Sequence, residues 1–165
     1  MTTLFGTLGP SFALQVATAI LCGGIIGLER QIRGKPIGIR TGILICLGTQ
    51  IFIRLSISLG GAGTDPTRVL GQVVTGVGFL GAGVILARGG TVHGVTSAAV
   101  VWMLAGIGST IGLGRLAEAI ALSVLTVAIL IGVRLLESAF HRLRGGSDEA
   151  EGEGEGEGED DDSAA

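Results

Sequence analysis

Apolar residues fill five stretches of the chain, near 10–28, 41–59, 69–87, 94–114 and 117–136, and polar residues collect between them. Each stretch meets the roughly 20 residues that a helix needs to cross the hydrocarbon core of a bilayer. The first has no basic residue in its N-terminal flank, MTTLFGTLGPSF, and ends in charge instead of a cleavage site. It therefore reads as a span and not as a signal peptide. The pattern predicts an all-α integral membrane protein, a bundle of about five transmembrane helices within residues 1–145.

The third stretch is the most unusual. Residues 71 to 86, GQVVTGVGFLGAGVIL, hold five glycines and no charge. In water each interior glycine costs about 1 kcal/mol relative to alanine. In lipid, glycine lets helix backbones approach closely, and that contact drives association where no hydrophobic force acts between helices. Gly76, Gly78, Gly81 and Gly83 are thus candidate packing residues, with the Gly23-x-x-x-Gly27 pair of the first span. Gly94, Ala98, Ala105, Ser109 and Gly112 form a further stripe of small residues in the fourth. Gly76-x-Gly78-x-x-Gly81 also matches a dinucleotide fingerprint, but no acid follows before Glu118. That fingerprint requires a preceding strand and an acid about 20 residues on. Packing is the better reading.

Composition and charge sharpen this picture. Of 165 residues, 47% are hydrophobic, 31 are glycine and 15% are charged. Ten of the 14 acids lie between Asp148 and Asp162, whereas all 11 basic residues precede residue 145. The body therefore carries a surplus of seven positive charges, and the formal net charge of −3 describes the tail. The tail, residues 146–165, alternates Glu and Gly before an acidic run, a composition expected to stay disordered. Arg30, Arg33, Lys35, Arg40, Arg88, Arg134, Arg142 and Arg144 fall on one side of five crossings, against Arg68 and Arg115 on the other. This bias puts the N-terminus outside and the first loop, third loop and tail in the cytoplasm.

Few side chains look equipped for chemistry. Cys22 and Cys46 lack metal-site spacing and read as small packing residues. His93 and His141 have no ligand partners nearby. Glu29 sits at the C-terminal end of the first span, where the helix dipole disfavours negative charge. Arg30, Arg33 and Arg40 are close enough in sequence to compensate it, across a turn marked by Gly34, Pro36 and Gly38. This cluster reads either as a clamp on two helix ends or as a ligand or partner contact. Arg54 lies about 20 Å beyond Arg40 along the second helix. Near the outer interface it either snorkels or turns inward to meet Asp65. Asp65 is placed to cap a helix opened by Pro66, with Arg68 and Gln72 sharing one face. Gln72 needs a partner in lipid, and Thr75, Thr96 and Ser97 are its candidate neighbours.

Taken in order, GGIIGLERQIRGKPIGIRTGILICLG (23–48), DPTRVLGQVVTGVGFLGAGVIL (65–86) and GGTVHGVTSAAVVWMLAGIG (89–108) resemble the MgtC/SapB family of bacterial inner-membrane proteins. The likeness covers about residues 10 to 136. Val95 and Ser97 stand where the family often has Leu and Thr. The acidic tail replaces the folded cytoplasmic domain of the MgtC type, so the chain looks like the shorter SapB-like form. The resemblance implies a five-span protein tied to growth in low magnesium, acid stress and intracellular survival. Some members are described as acting on the membrane ATP synthase instead of moving magnesium. It marks as important Glu29, Arg30, Gly38, Arg40, Thr41, Cys46, Asp65, Gln72, Gly78, Gly81, Gly83 and Thr96.

Two functions compete: a regulator that binds a membrane partner, and a transporter or channel for Mg²⁺ or another small solute. Mg²⁺ demands near-octahedral oxygen ligands, usually including one or two carboxylates. None of the four body acids, Glu29, Asp65, Glu118 and Glu137, falls mid-membrane in this topology. An enzyme would need a nucleophile with a base, and Ser97 and Ser109 have no such neighbour. The expected partners are the bilayer, another membrane protein and a second copy of the chain, with no nucleic acid, no metal and no cofactor.

Overall fold

The computed structural model describes residues 9–59, 65–88 and 91–152. The chain divides into two units, Met1–Val127 and Ala128–Ala165. The helices are α1 (Pro10–Ile32), α2 (Ile39–Leu59), α3 (Pro66–Val84), α4 (Val95–Gly112) and α5 (Leu116–Gly152). Among the described residues, five helices are long and apolar enough to cross a membrane. The protein is an all-α integral membrane protein.

Prolines set two of the helix starts. Pro10 opens α1 and Pro66 opens α3, positions where the missing N–H has no helical partner in any case. α1 runs four residues past the expected 28, so Glu29 and Arg30 lie within the helix. α3 is displaced from the expected span of 69–87, starting three residues earlier and ending three residues earlier. It stops at Val84, where Ile85 turns extended at φ −83° and ψ 119°. The chain then forms two short antiparallel strands, β1 (Leu86–Arg88) and β2 (Thr91–His93), pairing Leu86 with His93 and Arg88 with Thr91. A short apolar run such as 85–87 cannot be told from helix by periodicity alone. Gly94 ends this hairpin at φ +91°, and a Cβ there would collide with the Val84 carbonyl oxygen.

In the first unit α2 is central: α1 and α4 pack closely on it, and α3 packs mainly on α4. The α1–α2 contact is backbone on backbone. A Cβ at Gly23 would sit 2.6 Å from the Gly42 oxygen, and one at Gly42 would sit 2.6 Å from the Gly23 oxygen. A Cβ at Gly27 would lie 2.7 Å from Ile39 Cα. The α2–α4 contact uses Gly112, whose Cβ would fall 2.9 Å from the Gln50 oxygen, and Gly108, whose Cβ would strike Thr49 Oγ1 and the Cys46 oxygen. The interior filled this way holds Ala19, Cys22, Ile26, Cys46, Ile53, Leu104, Ile107 and Ile111, with Ala119, Ser123 and Thr126 buried on α5.

The glycine cluster of α3 behaves differently. Among the described residues nothing lies within 4 Å of a Cβ built at Gly71, Gly76, Gly78 or Gly83, and Gly81 makes only ordinary contact with Ala98. Within this chain, close helix approach belongs to Gly23, Gly27, Gly42, Gly108 and Gly112. The second unit begins inside α5, which continues to Gly152 and so into the region expected to be disordered from 146. An existing helix adds one hydrogen bond per residue fixed, so Asp148–Glu151 extends a helix it would not have started. The tail beyond, 153–165, lies outside the described residues.

Gly23→Ala and Gly42→Ala should each destabilise the protein by about 1–3 kcal/mol, the cost typical of overpacking. Gly78→Ala should be neutral in the same measurement, reversible unfolding in detergent followed by circular dichroism.

Candidate functional site

Hydroxyls in the spans mostly satisfy themselves. Thr18 donates to the Leu14 oxygen, Ser109 to Ala105, Ser123 to Ala119 and Thr126 to Leu122, each one turn back along its own helix. Among the described residues, three hydrogen bonds between side chains join different helices, and they define two polar centres on α1. Gln15 and Arg30 mark these centres, about 22 Å apart at 1.5 Å per residue.

The first centre is charged. Glu29 and Arg30 are 8% and 5% exposed, burial that such residues tolerate only when paired. Glu29 Oε1 pairs with Arg33 Nε one turn on, and Glu29 Oε2 lies 3.8 Å from Arg30 Nη1. Arg30 Nη2 donates to Ser97 Oγ at 2.9 Å, tying α1 to the first turn of α4. Arg30 Nε is buried without a partner. The loop that follows is held by its backbone: Lys35 N–H donates to the Arg30 oxygen, and Ile39 N–H donates to Gln31 Oε1. Ile37 occupies the left-handed region at φ +71°, a strained place for a β-branched residue. Its side chain packs against the Val77, Val101 and Ala105 cluster, which holds it there. Arg40 stands apart, exposed in the first turn of α2, and does not join Glu29.

The second centre is neutral apart from one arginine. Gln50 Nε2 donates to Gln15 Oε1 at 3.2 Å, and Arg54 Nη1 donates to the same oxygen at 2.7 Å. Phe12 lies beneath the guanidinium, 4.8 Å from Cζ to the ring centroid. Arg54 therefore turns to Gln15 of α1 and not to Asp65, the acid named as its alternative partner. Asp65 caps α3, accepting from Thr67 N–H at 2.9 Å and from Thr67 Oγ1 at 2.7 Å. Those two donors hold its carboxyl below the ordinary aspartate range. The charged cap is complete above the ordinary aspartate pKa and is lost as pH falls through the lowered value. Arg68 is exposed nearby.

A groove of about 580 Å³ runs between α2 and α3. Thr41, Phe52, Gln72, Gly76 and Leu80 are among its lining residues. The polar set expected around Gln72 is not gathered: Thr75 bonds the Gly71 oxygen of its own helix, Ser97 serves Arg30, and Thr96 is exposed. Cys46 is fully buried where α1 meets α2, and both cysteines are free. Sequence reasoning overlooked Gln15 and Phe12. The available signal was that an amide in a span requires a partner, and Gln15 lies one turn and two turns before Ala19 and Cys22 on the buried face. No group of three or more potential metal ligands occurs among the described residues.

Five apolar helices, of which α1, α2 and α4 are tied by buried arginine and amide centres, define a multi-pass membrane protein. The family model described as the MgtC family matches residues 16–139, and the chain belongs to that family. It is 41% identical to a protein of Escherichia coli K12 printed as "Putative magnesium transporter YhiD", over 79% of this chain and 66% of that one. It is 40% identical to Protein MgtC of Salmonella typhimurium LT2, over 80% and 55% of the two chains. Protein MgtC of Brucella abortus is 39% identical over 82% and 57%. The chain thus spans between 55% and 66% of the length of these relatives. No solved structure matches.

Glu29→Gln should cost about 3–5 kcal/mol, because it strips a buried ion pair of one partner. Ser97→Ala should cost less, about 1–3 kcal/mol, by leaving an arginine donor unmet. Unfolding free energies in detergent check both, and the order Glu29 above Ser97 is the sharper expectation.

Proposed function

We propose that this protein is a bacterial inner-membrane regulator that docks laterally on another membrane protein during adaptation to low magnesium or acid stress, and does not itself pass Mg²⁺. The observation that carries this reading is the unfilled face of α3. Gln72 lines an open groove, and Gly71, Gly76, Gly78 and Gly83 have nothing against them. A polar side chain and bare glycine backbone facing lipid are costly features unless another helix completes them. The ATP synthase is the partner that the family resemblance puts forward.

A transport reading follows from the magnesium in the printed name of the E. coli relative. The charges favour the docking reading. Mg²⁺ is bound through carboxylate and other oxygens. The buried carboxylate at Glu29 is already taken by Arg30 and Arg33, and the second centre presents Arg54. A cation moving through one subunit would meet positive charge at both centres. The surplus of basic residues in the first loop, third loop and C-terminal end supports a topology with those regions in the cytoplasm and the N-terminus outside.

A photo-crosslinking residue in place of Gln72, in living membranes, should capture a distinct membrane protein. Gly76→Leu should abolish capture while leaving the fold unchanged. Proteoliposomes holding the purified chain should show no Mg²⁺ uptake. Saturable uptake lost in Arg40→Ala or Asp65→Ala would contradict the proposal. So would a crosslink that joins only two copies of this chain.

A further inference from the structure

Arg54 carries a positive charge into a membrane span, and no carboxylate among the described residues answers it. The first unit holds three acids, and each is engaged elsewhere. Glu29 is paired with Arg33 and Arg30, Glu118 with Arg115, and Asp65 caps α3. Residues 1–8 and 60–64 contain no Asp or Glu. The hydrogen bond from Nη1 to Gln15 Oε1 is the one Arg54 makes among the described residues. Phe12 covers one face of the guanidinium, so the remaining in-plane N–H donors are left for a planar, bidentate acceptor. Arg54 lies five residues from the end of α2, about 7–8 Å along its axis, and is half-buried, so its guanidinium is reachable from the membrane surface while Gln15 and Gln50 lie buried behind it.

The second observation is Gln50. Its side chain is fully buried, its Nε2 is used on Gln15, and its Oε1 has no donor. A buried acceptor left unmet costs about 1–3 kcal/mol. The centre thus offers guanidinium donors and one bare acceptor side by side. A ligand that fits both must bring anionic oxygens for Arg54 and a hydroxyl that donates to Gln50 Oε1. Chloride has no hydroxyl, and a carboxylate has none while ionised. A hydroxyl-bearing phosphate has both.

We propose that Arg54, Gln15 and Gln50 form a binding site for a hydroxyl-bearing phosphate, with Phe12 orienting the arginine. Two sources share this chemistry. One is inorganic hydrogen phosphate, and the other is the head group of a glycerophospholipid that carries free hydroxyls, such as phosphatidylglycerol. The site is independent of lateral docking through α3, since it lies between α1 and α2.

The test uses the full chain in a phosphate-free maltoside detergent. Inorganic phosphate and phosphatidylglycerol are titrated separately while the thermal unfolding midpoint is followed, with native mass spectrometry recording bound lipid. Chloride at equal ionic strength and phosphatidylcholine, whose head group lacks a hydroxyl, are the controls. A saturable rise with inorganic phosphate assigns the site to the free ion. A saturable rise with phosphatidylglycerol, not matched by phosphatidylcholine, assigns it to the lipid. Arg54→Lys keeps the charge but not the fork, and should weaken binding about tenfold, as for one charge-assisted bond lost. Gln50→Glu supplies an internal carboxylate beside Arg54. It should abolish the response while retaining helix content. Absence of a response to either probe overturns the proposal, as does an undiminished response in Gln50→Glu.

Discussion

Backbone-to-backbone contact at glycine is the constraint on which this molecule depends. Gly23 and Gly42 face each other so closely that neither has room for a methyl group, and Gly108 and Gly112 bring α4 onto the carbonyls of α2 in the same manner. In lipid, helices gain nothing from hiding apolar surface from one another, so association rests on such packing and on interhelical hydrogen bonds. The glycine contacts set the helix separations. The polar contacts follow from them, because Gln15 reaches Gln50 and Arg54 only when α1 and α2 nearly touch, and Arg30 reaches Ser97 only when α4 is equally close.

Membrane burial also explains where polarity is allowed. Serine and threonine hydroxyls fold back on their own helix carbonyls and cost little. Amides and guanidinium groups cannot satisfy themselves this way and must cross between helices. They do so at two levels on α1, with an apolar middle of Ala19, Cys22 and Ile26 between them. One level is a buried ion-pair cluster whose charge is shared among Glu29, Arg30 and Arg33. At the other, Arg54 and Gln50 both donate to the Gln15 side-chain oxygen. By formal charge each level is left with one net positive charge, from Arg30 and Arg33 against Glu29 at the first and from Arg54 at the second.

Much of the fold was legible in the sequence, because a span of about 20 apolar residues has few structural alternatives in a bilayer. The Asp65 cap was legible for the same kind of reason: an acid before Pro66 at a helix start has one obvious local use. The hairpin of Leu86–His93 was not, since its apolar strand continues the hydrophobicity of α3. The glycine roles were legible in part: Gly23, Gly27 and Gly112 read as packing positions and make tight contacts, whereas Gly42 and Gly108 carry no pattern that singles them out, because their partners are set by three-dimensional pairing. The partner of Arg54 escaped for that reason too. Gln15 is 39 residues away and carries no charge to advertise the contact.

The most direct test of this account is a distance between Gly23 and Gly42 in a bilayer, measured by dipolar recoupling in magic-angle-spinning NMR. Copies carrying carbon labels at the two glycines would be diluted into unlabelled chain so that only contacts within one molecule are seen. The account predicts strong coupling between the Gly23 carbonyl and Gly42, and none between Gly78 and any other helix of the same chain. Absence of the first coupling, or its replacement by an intramolecular contact at Gly78, would contradict it.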